Sequence, residues 1–367
     1  MFITHYKNRE PIKSFLLIPF LIPLFGSSVQ AMDSQSETTL NDTKVHIVNV
    51  GKGQSLILAH GCSVSIIDAG GEMSNIDHYL QKLKLIMEKR SSKVLNSIII
   101  SHAHNDHLRY VKPIMRLGIR TKVLIGNSTL LKKKPYLYDS LNKSQSARWI
   151  PISVNTTKYR PLKYTIYSSD SCGKKELIVD LLWGKLKETD KERSDYYKRH
   201  EENNNSVVVG IRNLPIPILI LGDANKPAQS IIMKYGKDIL RNYKGAALVV
   251  GHHGYNNGVN KKFLKYLKPD SLYVSRTANH PLRKKTYKVL IQAANLQPAT
   301  RSHMINVECK SDNPKVESLW GNLDKGIHDH GPGCPVITNR RLFMTSDQGD
   351  ITLEFSSNNK LLVNTQY

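Results

Sequence analysis

Short apolar runs rich in β-branched residues alternate along the chain with longer segments whose apolar residues recur every three or four positions. The short runs predict strands and the longer ones helices. Strands are expected at Val45–Val50, Ser55–His60 and Ser63–Ile67, the third running into Asp68-Ala69-Gly70-Gly71. Ile76, Leu80, Leu83, Ile86 and Met87 predict a helix over Ile76–Lys89. Val94–Ile100 reads as a buried strand that leads straight into Ser101-His102-Ala103-His104-Asn105-Asp106-His107. A helix at Leu108–Leu117 and a strand at Lys122–Ile125 follow. Residues 128–200 are rich in Lys and Tyr and weakly patterned, which points to insertions and exposed loops. Strand signals return at Ser206–Ile211 and Ile216–Leu221, the second ending in Gly222-Asp223-Ala224-Asn225. Next come a helix over Ala228–Tyr243, a strand Ala247–Val250 ending in Gly251-His252-His253-Gly254, a strand Ser271–Ser275 and a helix Lys285–Ala294. Arg341–Thr345 and Asp350–Phe355 are expected as a closing strand pair joined by Asp347-Gln348-Gly349. Mixed strands and helices, with polar residues at strand ends, predict one layered α/β domain.

Residues 1–31 fit none of these elements and read as a secretory signal peptide. Lys7, Arg9 and Lys13 form a basic start, Phe15–Phe25 an apolar stretch of 11 residues, and Val29-Gln30-Ala31 a small-residue cleavage site. That stretch is too short to span a bilayer and carries Pro19 and Pro23. Residues 32–43 are polar and expected to be a flexible leader, and 44–367 the folded domain. No later stretch approaches a membrane-spanning length, so the exported product is expected to be soluble, periplasmic or secreted. Cys62, Cys172, Cys309 and Cys334 then allow two disulfides. Three pairings are open; Cys309–Cys334 would close one late loop and leave Cys62–Cys172 as the remainder.

Charge narrows the partners. Of 367 residues, 53 are Lys or Arg and 30 Asp or Glu, a formal net charge of +23. The leader carries little of it, because Lys7, Arg9 and Lys13 are offset by Glu10. A surface this basic attracts polyanions, such as nucleic acid or a phosphate-bearing envelope polymer.

The chemistry is concentrated after three apolar strands. His102, His104, Asp106 and His107 fall within six residues, and imidazole and carboxylate are the ligands zinc and manganese prefer. Asp223 follows Ile-Leu-Ile-Leu-Gly, and His252-His253 follow Ala-Leu-Val-Val-Gly. Buried strands that exit into Asp or His place ligands at one rim of a sheet.

These residues resemble the metallo-β-lactamase superfamily, with its His-x-His-x-Asp-His loop and later Asp and His ligands. They are most similar to the hydrolase domain of ComEC-type DNA-uptake proteins. The motifs run in order: Val50-Gly51-Lys52-Gly53-Gln54-Ser55, Ile67-Asp68-Ala69-Gly70-Gly71, the His102–His107 loop, Asn203 to Val207, Leu221-Gly222-Asp223-Ala224, His252-His253-Gly254, Asn279-His280-Pro281, and the turn between Thr345 and Leu353. They cover about residues 45–300 and 341–355. The resemblance implies a four-layer αββα metallo-β-lactamase sandwich. It also implies one or two zinc ions, with manganese an alternative. His102 and His104 match the ligands of the first metal, and Asp106 and His107 those of the second. Asp223 matches the bridging carboxylate, either His252 or His253 the last ligand, and Asp68 an acid that orients a ligand histidine.

Three departures stand out. Asn203-Asn204-Asn205 occupies the place where the superfamily often supplies a third first-metal histidine, although the ComEC-like group has Asn there too. This implies a poorer first site, with His200 a possible substitute. Arg109 and Tyr110 replace Gly-Gly after the ligand loop and are expected at the rim. Residues 301–340 have no counterpart in the resemblance.

The implied chemistry is hydrolysis by a metal-activated hydroxide, with Asp106 orienting it or relaying its proton and His280 contacting phosphate or protonating the leaving group. The expected function is a phosphodiesterase or nuclease acting on nucleic acid. Lys132-Lys133-Lys134, Lys261-Lys262 and Arg283-Lys284-Lys285 would track the backbone, and Tyr136 and Tyr138 would stack bases. The alternatives are a phosphodiesterase of envelope phosphocholine or teichoic-type groups, a lactonase or β-lactamase, and a non-enzymatic polyanion-binding protein. Oligomeric state stays open.

Overall fold

The computed structural model describes residues 43–137, 148–156, 159–167, 176–187, 190–293, 296, 298–308, 333–355 and 361–366. The signal peptide expected at 1–31 lies outside these residues, as does the leader up to residue 42. All described residues fall in one compact unit, Thr38–Tyr367.

The first half of the chain supplies β1 (Thr43–Ile47), β2 (Ser55–His60), β3 (Ser63–Ala69), β4 (Val94–Ile100), β5 (Arg120–Thr121), β6 (Val123–Asn127), β7 (Arg148–Val154), β8 (Leu162–Tyr167), β9 (Glu176–Leu181) and β10 (Lys185–Leu186). The second half adds β11 (Val209–Arg212), β12 (Ile218–Ile220), β13 (Ala247–Val249), β14 (Ser271–Val274), β15 (Pro298–Glu308), β16 (Gly333–Arg340), β17 (Leu342–Met344), β18 (Asp350–Phe355) and β19 (Leu361–Gln366). One sheet runs β10-β7-β6-β4-β3-β2-β1-β18-β19, with β5 beside β4, and the other β17-β14-β13-β12-β11-β9-β8.

Alternation along the strands builds the layers. Val45, Ile47, Leu56, Leu58, Ile67 and Ile99 of the first sheet share a buried cluster with Val209, Ile211, Ile218, Ile220, Val249 and Tyr273 of the second, so the sheets pack face to face. The intervening residues point the other way. Ile57, Ile66, Ile98 and Ile100 pack on Tyr79, Leu83, Ile86 and Met87 of the helix Ile76–Lys89. Leu219, Leu248, Val250 and Leu272 pack on the helices Lys226–Tyr235, Lys261–Leu267 and Lys284–Ala293. The result is the expected αββα sandwich. β4 lies parallel to β3 and β6, and β13 parallel to β12 and β14, so several strands of each sheet end at a common rim. No helix among the described residues is long and apolar enough to cross a membrane.

Several expectations need correction. Arg341–Thr345 and Asp350–Phe355 do not pair. β17 lies parallel to β14 in one sheet, whereas β18 lies antiparallel to β1 in the other, and a short helix Thr345–Gln348 turns the chain between them. The segment 128–200 is no mere insertion, because it holds β7 to β10 and forms edges of both sheets. The helix expected over Leu108–Leu117 starts at Asn105 and breaks, resuming at Val111–Arg116. Pro113 removes the amide that would bond back across the break. The helix expected over Ala228–Tyr243 ends at Tyr235, before Gly236. β15 and β16 pair antiparallel as a two-stranded ribbon. Cys62 is disulfide-bonded, but Cys172 and Cys309 lie outside the described residues, and with them both expected pairings.

Candidate metal centre

The rim where β3, β4, β12 and β13 end brings His102, His104, Asp106, His107, Asp223, His252 and His253 together. His102, His104 and Asp223 form one cluster of donor atoms, and Asp106, His107 and His253 a second, each set lying within 4.8 Å of one another. Asp223 joins them through its two oxygens. Oδ1 lies 3.0 Å from His107 Nε2 and 3.6 Å from His253 Nε2. Oδ2 lies 3.7 Å from His102 Nε2 and 3.6 Å from His252 Nε2. The pair that sequence could not separate is thus divided, with His253 facing the Asp106 and His107 cluster and His252 the other oxygen of Asp223.

Hydrogen bonds fix which nitrogen of each ring faces inward. His107 Nδ1 contacts Asp68 Oδ2 at 2.8 Å, His253 Nδ1 the Ser275 carbonyl at 3.0 Å, and His252 Nδ1 Asn225 Oδ1 at 2.9 Å. These oxygens accept the Nδ1 proton, which turns each Nε2 toward Asp223, where the neutral ring presents a lone pair. Asp223 Oδ1 is buried with no donor in hydrogen-bonding alignment. Lone pairs converging on a buried carboxylate repel one another unless a cation sits among them, so the donor set fits divalent metal.

Asp68 is fully buried and holds a positive φ of 56°. Its carboxylate also accepts from Gln54 Nε2 at 2.9 Å, Ser101 N at 2.7 Å and Ser101 Oγ at 2.9 Å. It is therefore a fixed support for His107. Replacing it by Asn is expected to weaken metal at the His107 half-site about 10- to 100-fold and to spare the His102 half-site. Titration with zinc, followed by competition with a chromophoric chelator, checks this.

Glycines make room for the ligand loops. A side chain at Gly70 would meet the Asp106 carbonyl carbon at 2.3 Å, and one at Gly258 would meet His252 Cβ at 2.6 Å. His252 and His253 both have φ near 50°, a conformation that costs each about 1–3 kcal/mol and that surrounding contacts must enforce. Arg276 supplies such contacts. Its guanidinium is buried, donates to the carbonyls of His253 at 2.7 Å, Pro281 at 2.9 Å and His280, and lies 4.8 Å from the centroid of the Tyr255 ring.

Burial disfavours a charge on His107, but Asp223 and Asp68 outweigh it and raise its pKa well above the ordinary value. Burial and the neighbouring His107 charge push His102 well below, so it stays neutral. Burial alone would raise the Asp106 pKa, yet the His253 ring 3.6 Å away and the charge of His107 hold it well below the usual carboxylate range. Asp106 therefore stays ionised and orients by accepting. A cation at the second cluster takes the place of the His107 Nε2 proton. Its binding is expected to release about one proton at neutral pH and to strengthen about tenfold per pH unit below the raised His107 pKa. Calorimetry in two buffers of different ionisation enthalpy measures this, and no proton uptake by the buffer would contradict it.

The remaining candidates fall elsewhere. His280 sits on an exposed turn, where Arg276 uses its backbone carbonyl, and its ring joins neither cluster. His200 is exposed at the end of the helix Asp195–Arg199, outside both clusters. In place of the absent histidine, Asn203 Nδ2 donates to His252 Nε2 at 3.2 Å. Tyr110 is buried against Tyr79 instead of lying at the rim, while Arg109 is exposed. Tyr136 packs on the outer core of the first sheet, which removes it from base stacking, and Tyr138 lies outside the described residues. Sequence reading missed Gln54, Ser101, Asn225, Ser275 and Arg276. Only their closeness to the motifs marks them, since each acts across the fold.

Two facing sheets with outer helices make the αββα sandwich of the metallo-β-lactamase fold, and at its rim the His-x-His-x-Asp-His loop meets Asp223 and His253. In sequence, the chain is 20% identical over 263 residues to ComE operon protein 3 of Bacillus subtilis (strain 168), covering 68% of this chain and 30% of that protein. The chain thus spans less than a third of that relative's length. No family model matches it. Among solved structures, it is similar to the metallo-β-lactamase fold protein YhfI from Bacillus subtilis, at TM-score 0.41 and 12% identity over 70% of this chain and 97% of that one. A diphosphatase from the PhnP family gives TM-score 0.38 and 11% identity over 69% and 94% of the two chains.

Proposed function

We propose that the chain is an exported, metal-dependent phosphodiesterase that acts on nucleic acid. The observation that carries the catalytic part is Asp223, whose two oxygens each face a separate set of histidines at an open rim. A divalent ion held there supplies Lewis acidity and lowers the pKa of bound water. The chain's own residues do the rest. Asp68, Ser275 and Asn225 lock the imidazoles, so substrate meets a site that needs little reorganisation. His104 is exposed and Asp106 partly so, and they form the side substrate approaches. Asp106, kept ionised, can accept a hydrogen bond from the attacking water and so aim it. The +23 charge and the similarity to ComE operon protein 3 favour a nucleic-acid substrate.

The purified chain, supplied with zinc or manganese, is expected to cleave single-stranded DNA, plasmid and bis-p-nitrophenyl phosphate, and the His104→Ala variant is not. Turnover of nitrocefin or a lactone without phosphodiester cleavage would sink this reading.

A further inference from the structure

Ligands and non-ligands alternate along the loop after β4, and the non-ligand positions are tied to lysines. The backbone amide of Ala103 donates to Glu202 Oε1 at 2.8 Å, and Glu202 is ion-paired with Lys133. Asn105 Oδ1 accepts from Lys134 Nζ at 3.0 Å. The Lys134 ammonium is therefore one contact away from the loop that carries His104 and Asp106. It has three donors, and Asn105 uses one.

The second sheet offers a matching feature. Asn225, which holds His252, is followed by Lys226 at the start of a helix. Lys226 is partly buried and close enough to Lys285 that burial and this like charge together lower its pKa. Asn260, which caps the helix carrying Lys261 and Lys262, donates to the Lys226 carbonyl at 3.3 Å. Among the described residues no ion pair forms with Lys134, Lys226 or Lys285. Like charges held together and partly desolvated, with no acidic partner, make a local field suited to anions.

We infer that Lys134 on one side of the metal centre, and Lys226 with Lys285 on the other, bind the phosphates that flank the scissile phosphodiester of a nucleic-acid strand. The inference rests on the phosphodiesterase reading and adds to it the residues that select a polymer. Lys134 touches the ligand loop that leaves the first sheet, and Lys226 follows Asn225, which holds His252 beyond the second sheet, so a strand spanning the two clusters has a lysine to meet at each.

The test is fluorescence anisotropy of a labelled single-stranded oligonucleotide of about 12 nucleotides with the full chain. EDTA prevents cleavage, and salt is varied between about 50 and 200 mM. Lys134→Gln and Lys226→Gln are each expected to weaken binding about five- to tenfold and to make the salt slope shallower by about 0.7, the value for one lost single-strand phosphate contact. The double variant is expected to lose about twice that slope. Lys122→Gln removes the same charge just before β6, at the opposite end of the sheet, and is expected to change neither. An unchanged slope in the rim variants, or an equal loss in Lys122→Gln, overturns the inference. Equal competition by a poly(glycerol phosphate) overturns the assignment to nucleic acid. Bis-p-nitrophenyl phosphate turnover by the metal-loaded wild type reports separately. If it is absent while the slopes shift, the catalytic reading fails and the lysine contacts stand.

Discussion

Replacing Asp223 by Ala is expected to abolish binding of both metal ions and to lower phosphodiesterase turnover by about 10³-fold, the upper end of what one electrostatic group contributes in such sites. Among the described residues no other serves both clusters, because Asp223 alone presents one oxygen to His102 and His252 and the other to His107 and His253. Losing one of the histidines costs a single ligand. Losing Asp223 removes the negative charge that offsets two divalent ions in a buried site. Asp68 still pairs with His107, so the variant is expected to fold, which circular dichroism checks. Metal content by mass spectrometry after gel filtration should fall from two ions per chain to none. Retention of both would mean that the histidines, not the carboxylate, dominate the site.

Replacing Arg276 by Gln is expected to lose the His253 half-site selectively, weakening that ion about 10- to 100-fold. Arg276 touches no metal and acts as a positioning residue. Its guanidinium holds the carbonyl of His253, whose left-handed backbone aims the ring at Asp223 Oδ1. The substitution strands the buried carbonyl of His253, at about 1–3 kcal/mol when unsatisfied, and releases the part-buried carbonyls of His280 and Pro281. Arg276→Lys keeps the charge but not the fork, and is expected to recover only part of the loss. Cobalt substitution separates positioning from general destabilisation. A biphasic titration, with the His102 half-site filling normally, supports positioning. A parallel weakening of both half-sites contradicts it.

The ligand set was legible because its members follow apolar strands directly. His102 to His107 lie together after Val94–Ile100, and their chemistry needs no tertiary information. Sequence alone could not say which histidine Asp68 orients, since the His107 ring is brought close only by the pairing of β3 with β4. The division between His252 and His253 depends on two left-handed backbone conformations, which no periodicity encodes. Arg276 looked like any charged residue after a strand, yet it is 3% exposed. The closing strands show the opposite case. Each had a readable pattern, but partner choice depends on the rest of both sheets, and β17 and β18 went to different ones. The strands of 128–200 were hidden because their burial is uneven: β7 alternates only from Pro151 to Val154, and its first residues are exposed or half-buried.

The most direct measurement is the rate of bis-p-nitrophenyl phosphate hydrolysis as zinc or manganese is titrated back into the metal-stripped chain. The rate should rise from background, level off near two ions per chain, and stay at background throughout in Asp223→Ala. Hydrolysis that persists after metal stripping, or a plateau that Asp223→Ala leaves unchanged, would contradict a catalytic centre built on Asp223.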